Sequence, residues 1–166
     1  GSGARRGESR IVTMIVQIPS EVAQHASPSN YWYQDLKLSL HRELLHDARP
    51  MDAAVLPRDE RSYLIVTTMG SLNVATDDLT IAPFLGRAAA LGVRLEVGIG
   101  LGRSAREAEH NARAAVDKAA ATDGGTAFLV GPGDTVLQLP ADRREAATAV
   151  HPAKDSKAVD ILARLA

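Results

Sequence analysis

Three glycines at alternate positions, Gly98, Gly100 and Gly102, followed by Arg103 and Ser104, form the stretch whose residue types and spacing best suit chemistry. Glycines let a backbone approach a ligand closely, and the free amides of a helix start hold negative charge. The pattern therefore fits a turn that binds an anion or a nucleotide phosphate, with Arg103 adding positive charge. It fits also a tight strand-to-helix turn whose glycines serve packing alone, and a lone glycine turn is a weak signal for a ligand. It does not meet the G-x-G-x-x-G fingerprint, because Arg103 stands where the third glycine belongs, and no Gly-Lys-Ser/Thr follows as in a P-loop.

A second group, Thr67, Thr68, Gly70 and Ser71 with Asn73 and Thr76 close behind, offers hydroxyls and an amide that can orient a small polar ligand. Loop hydrogen bonds and helix capping use the same residue types. The run Arg58-Asp59-Glu60-Arg61 reads either as a ligand-contacting loop or as a solvated turn. His25, His41, His46, His110 and His151 include no His-x-x-x-His pair, and they read as surface residues. No Gly-x-Ser-x-Gly turn marks a nucleophile. The sequence thus yields two candidate ligand-binding sets, but no catalytic residue, metal ligand or cofactor.

These sets need a scaffold. Ile11 to Ile18 is apolar and rich in β-branched residues, the signature of a central strand covered on both faces. In Tyr31 to Asp47 the residues Tyr33, Leu36, Leu40 and Leu44 recur at helical spacing, with Leu38 and Leu45 broadening the stripe and Pro50 closing the helix. The aromatic triplet Tyr31-Trp32-Tyr33 at its start is read as an anchor to the core, or else as a partner surface. Residues 53–56 and 62–68 flank the charged turn 57–61 as two antiparallel strands. Asp77 or Asp78 is expected to cap a second helix that buries Leu79, Phe84, Leu85, Ala88 and Leu91 before Gly92 ends it. A fourth strand over 93–97 leads through the glycine turn into a helix capped by Ser104, with Glu107 completing a capping box. That helix shows a face of small residues, Ala105, Ala108, Ala112, Ala115, Val116 and Ala119. Thr126 to Val130 and Val136 to Leu139, joined by Gly131-Pro132-Gly133-Asp134, form a closing hairpin.

The order βαββαβ is the split βαβ of a ferredoxin-like α+β palm, here with an added helix and β-hairpin. Residues 1–10 are read as a disordered N-terminal segment, 11–139 as the domain, and 140–166 as a linker with the start of a truncated following domain. In that last part Ala158, Ile161, Leu162 and Leu165 share one helical face.

At 166 residues the chain is long enough to bury a core without staples. Nineteen Lys and Arg against twenty Asp and Glu leave a net charge of -1, which gives no global attraction to nucleic acid or membrane. The absence of cysteine excludes disulfides, zinc-thiolate sites and thiol nucleophiles, and fits a reducing cytosol. No run approaches the length of a membrane span.

The layout, with Leu95-Glu96-Val97-Gly98-Ile99-Gly100 followed by the alanine-rich helix from Ser104, resembles the GGDEF-like and nucleotidyl-cyclase-like domains over residues 11–139. It is also similar to archaeal-type GTP cyclohydrolase III and to degenerate sensor domains of bacterial transcription regulators. The departures bear on activity. Active diguanylate cyclases carry Gly-Gly-Asp/Glu-Glu-Phe at the hairpin, where this chain reads Leu56-Pro57-Arg58-Asp59-Glu60-Arg61-Ser62. The family's other metal carboxylate sits at the end of the first strand, where this chain reads Val16-Gln17-Ile18-Pro19-Ser20-Glu21. Phosphoryl transfer needs metal to gather phosphates, and one displaced glutamate does not replace a pair of acids. The resemblance therefore implies a non-catalytic ligand-sensing or dimerisation domain of a cytoplasmic bacterial regulator. Its ligand would be a small anionic metabolite or nucleotide near Gly98 to Ser104 or Thr67 to Ser71. It would form a homodimer, touch no membrane, and reach DNA only through a separate domain. The alternatives are a nucleotide-processing enzyme and a purely structural dimerisation module.

Overall fold

A computed structural model describes residues 10–24, 27, 29–122 and 125–141. In chain order the elements are β1 (Ile11–Gln17), α1 (Ser20–Ala23), α2 (Tyr31–Ala48) with a 3-10 turn at Arg49–Met51, β2 (Ala54–Asp59), β3 (Ser62–Thr68), α3 (Met69–Ala75), α4 (Leu85–Ala90), β4 (Glu96–Leu101), α5 (Ala105–Ala120), β5 (Thr126–Gly131) and β6 (Thr135–Pro140). The fold is mixed α+β. His25, His151, most of the 1–10 segment and nearly all of 140–166, with its apolar face, lie outside the described residues.

The strands form one six-stranded sheet in the order β2-β3-β1-β4-β5-β6. β4 and β5 run parallel, joined by α5, and the other neighbours are antiparallel. Strand side chains alternate between faces. On one face Val12, Met14 and Val16 of β1 join Ile65, Val97 and Ile99 in a core completed by Tyr33, Leu36, Leu40 and Leu44 of α2 and by Leu72, Phe84 and Leu85. On the other, Ile15 packs with Ala112 and Val116 of α5. Burial of β1 on both faces explains its continuous apolar run.

Several expectations need correction. The second helix does not start at Asp77 or Asp78. Instead Thr68 caps α3, its hydroxyl accepting from the Ser71 N–H at 3.3 Å, and Asp77, Asp78 and Leu79 adopt left-handed backbone conformations that no helix continues. The chain resumes a short helix, α4, only after a further left-handed residue, Phe84, and Leu91 beyond it is exposed rather than buried. The hairpin loop is shorter than read, because Pro57, Arg58 and Asp59 belong to β2, with an irregularity between Pro57 and Asp59. Leu38 and Leu45 do not widen the buried stripe of α2, being 67% and 42% exposed. Of the aromatic triplet only Tyr33 anchors the helix, whereas Tyr31 and Trp32 are exposed.

Candidate functional site

The glycine run is strand, not turn. Gly98 and Gly100 lie inside β4, which β1 and β5 flank on both sides, so their backbone polar groups face sheet ladders rather than a ligand. Spacing of two places Gly98, Gly100 and Gly102 on one face, and that face meets α5. A β-carbon on Gly98 would stand 2.6 Å from the Ala112 carbonyl oxygen and 2.7 Å from Val116 Cα, and one on Gly100 would stand 2.8 Å from Ala112 Cα. One on Gly102 would stand 2.6 Å from the Ala108 nitrogen. The helix backbone fills the space an anion would need. The run of small side chains on α5 has the same cause, since helix and sheet approach at backbone contact.

At the start of α5 the capping residues satisfy one another. Ser104 Oγ accepts from the Glu107 N–H at 3.1 Å, and Glu107 Oε1 accepts from the Arg103 N–H at 3.4 Å. The helix start thus holds its own carboxylate, which an incoming anion would have to displace. Arg103 and Ser104 are exposed beside it. Asn111, one turn further on, donates from Nδ2 to the Leu101 carbonyl at 2.6 Å and ties α5 to the end of β4. His110 is exposed, while His41 is half-buried with its ring 5.4 Å from that of Tyr63.

Thr67, Thr68, Gly70 and Ser71 come together at the β3–α3 junction, and their polar groups serve the fold. Thr67 Oγ1 donates to the Met51 carbonyl at 2.8 Å, fixing the turn after α2 to β3. Thr68 Oγ1 caps α3 and bonds Ser71 Oγ at 3.1 Å. Gly70 lies within the first turn of α3, and Thr76 Oγ1 donates to the Leu72 carbonyl at 2.7 Å while accepting from the Leu79 N–H at 2.9 Å. The Asn73 side-chain oxygen is buried without a partner among the described residues.

The polar group that sequence reading missed lies at the hairpin end of the sheet. Register places Ser62 of β3, Gln17 of β1 and Glu96 of β4 side by side in one row. All three are buried, at 1%, 6% and 6% exposure. Gln17 Nε2 donates to Glu96 Oε1 at 2.8 Å. Arg61 Nη1 lies 3.9 Å from the same oxygen and donates to the Ile18 carbonyl at 2.9 Å. Arg58 Nη1 donates to Ser62 Oγ at 3.4 Å. A carboxylate this far from water needs hydrogen bonds and a countercharge, and an amide with a guanidinium supplies both. The signal in the sequence was one long polar residue in each of two otherwise apolar strands.

The hairpin acids border this row, with Asp59 opposite Ser62 across the hairpin. Asp59 Oδ1 accepts from the Arg61 N–H at 2.9 Å, and the Tyr33 hydroxyl donates to the Glu60 carbonyl at 3.4 Å. Burial, then the charge of Glu60, pushes the Tyr33 phenol up. Among the described residues no three His, Asp or Glu side chains gather where they could hold a metal, so Glu21, Asp59 and Glu60 do not converge.

No protein-family model matches the sequence, and no curated protein matches it either. Among the described residues no helix is long and apolar enough to cross a membrane.

Proposed function

We propose that this chain is a ferredoxin-like palm of the GGDEF and nucleotidyl-cyclase type that serves, without catalysis, as a ligand-sensing or dimerisation domain of a cytoplasmic bacterial transcription regulator. The strand order β2-β3-β1-β4, antiparallel throughout, supports the palm, with α5 and the β5–β6 hairpin as the addition. The observation that carries the loss of catalysis is the Gln17–Glu96–Arg61 group. An amide stands at the end of the first strand, and the nearby carboxylate is held by a guanidinium within the protein. Metal-dependent phosphoryl transfer needs acids free to bind the ion, and here the charge of the buried Glu96 is already balanced.

Of the two roles, the geometry favours dimerisation. Gly98 and Gly100 are packed against α5, and Thr67, Thr68 and Ser71 bond to the protein itself, which leaves an anionic metabolite or nucleotide only the exposed Arg103 and Ser104. Contact with DNA would belong to a separate domain.

The test is incubation of the purified chain with GTP and ATP, with and without magnesium, followed by product analysis and thermal shift, with cyclic dinucleotides added to the thermal series. The expected result is no product. Magnesium-dependent conversion of GTP would overturn the non-catalytic reading and favour the nucleotide-processing alternative. A shift in melting temperature without turnover would favour sensing over a purely structural role.

A further inference from the structure

The outward face of α2 carries exposed apolar side chains that the fold leaves unexplained. Tyr31, Leu38 and Leu45 recur every seven residues and are 78%, 67% and 42% exposed. Seven residues bring a helix back to nearly the same direction, so the three form one stripe opposite the buried Tyr33, Leu36, Leu40 and Leu44. Exposed charges of opposite sign, Asp35 and Arg42, lie on the same outward face, and the ion pairs among the described residues involve neither. At the far end Leu45, with Ala48, Arg49, Asp52 and Ala53, lines a shallow groove of about 260 Å³.

We infer that this stripe is a self-complementary interface on which a second copy of the chain docks, its α2 antiparallel to the first and a two-fold axis passing at Leu38. This rests on the dimerisation half of the proposed function and names the surface. In that register Leu38 meets its own counterpart, and Tyr31, seven residues before the axis, meets Leu45, seven after it. The protruding tyrosine of each copy then reaches the groove beside Leu45 of the other, a knob and a hole on one surface, as an isologous contact requires. Asp35 and Arg42 lie roughly 4.5 and 6 Å from the axis on opposite sides, at 1.5 Å rise per residue, so each comes opposite the other across it. A parallel pair would instead set Asp35 against Asp35 and Arg42 against Arg42. Charge therefore selects both the partner and its direction. One helix face is a small interface, so the dimer is expected to dissociate in the micromolar range.

Analytical ultracentrifugation over a concentration series reads the dimer directly. Charge reversal by Asp35→Arg or Arg42→Asp alone is expected to weaken it about tenfold or more, and the double variant is expected to restore it. Because the chain has no cysteine, Leu38→Cys gives a single thiol at the axis, and mild oxidation is expected to yield a covalent dimer. Leu38 is mostly exposed, so Leu38→Glu should fold, as circular dichroism would check, and sediment as a monomer. A dimer indifferent to every one of these changes overturns the surface and leaves dimerisation standing. A wild-type chain monomeric at all concentrations overturns both.

Discussion

Gln17 and Glu96 sit opposite each other on neighbouring strands at the sheet's hairpin end, their side chains joined at 2.8 Å and shut off from water. The amide completes the shell of a carboxylate whose nearest cation, Arg61, is 3.9 Å away. Gln17→Leu would keep the volume and remove the donor, leaving Glu96 without its closest partner. The expected cost is about 1–3 kcal/mol, read as a lower urea midpoint with unchanged slope. In the Glu96→Leu background the same substitution should cost much less, since no buried charge is left unserved. Equal costs in both backgrounds would show that the pair does not act as a unit.

Gly98 and Gly100 permit backbone contact between β4 and α5, and Gly86 does nothing comparable. A β-carbon at Gly100 would run into Ala108 and Ala112, whereas at Gly86, exposed in α4, it would meet nothing within 4 Å. Gly100→Ala is expected to destabilise by at least the roughly 1–3 kcal/mol of an overpacked core, because the obstacle is helix backbone and cannot rotate away. Gly86→Ala should stabilise by about 0.5–1 kcal/mol through helix propensity. Thermal melts of the two variants should therefore move in opposite directions.

The same glycines show what the sequence could and could not convey. The continuous apolar run of β1, the helical stripe of α2 and the Ser104 cap are local signals, and each element stands within a residue or two of where they place it. The β4 glycines were ambiguous because a turn and a strand pressed on a helix use the same residue. Only the neighbour across the contact, the alanine face of α5, separates the two. The Gln17–Glu96–Arg61 group was illegible for a different reason. Its members are 79 and 35 residues apart along the chain, and strand register with the β2–β3 turn brings them together.

The interruption between α3 and α4 is the place where local propensity gave way. Asp77, Asp78 and Leu79 are successively left-handed, a conformation that costs a residue with a β-carbon roughly 1–2 kcal/mol. Leu79 is repaid by burial, being 3% exposed, but Asp78 is exposed and its N–H bond to the Asn73 carbonyl at 2.8 Å needs no side chain. Asp78→Gly should therefore stabilise, by up to about 1 kcal/mol once the added freedom of the unfolded chain is subtracted. Loss of stability in chemical denaturation would mean that the carboxylate makes an essential contact.

Two aspartates should respond to pH with opposite signs. Asp47 pairs with Arg87 Nε at 2.8 Å, yet burial outweighs the guanidinium and raises its carboxyl above the ordinary 3.8. A raised folded-state value means that the folded chain favours the proton. The contribution is complete below 3.8 and is lost as pH climbs through the folded value. Asp59 is the reverse. Burial would raise it, but the Arg61 N–H, the Ser62 hydrogen bonds and Arg58 together bring it below 3.8, so its contribution is present above that value and fades as pH falls through the folded one. Urea titrations from about pH 3 to pH 6 on Asp47→Asn and Asp59→Asn separate the two. Relative to wild type, Asp47→Asn should gain as pH rises, and Asp59→Asn should lose. Parallel trends for both variants would refute the assignment of burial as the dominant influence on Asp47 alone.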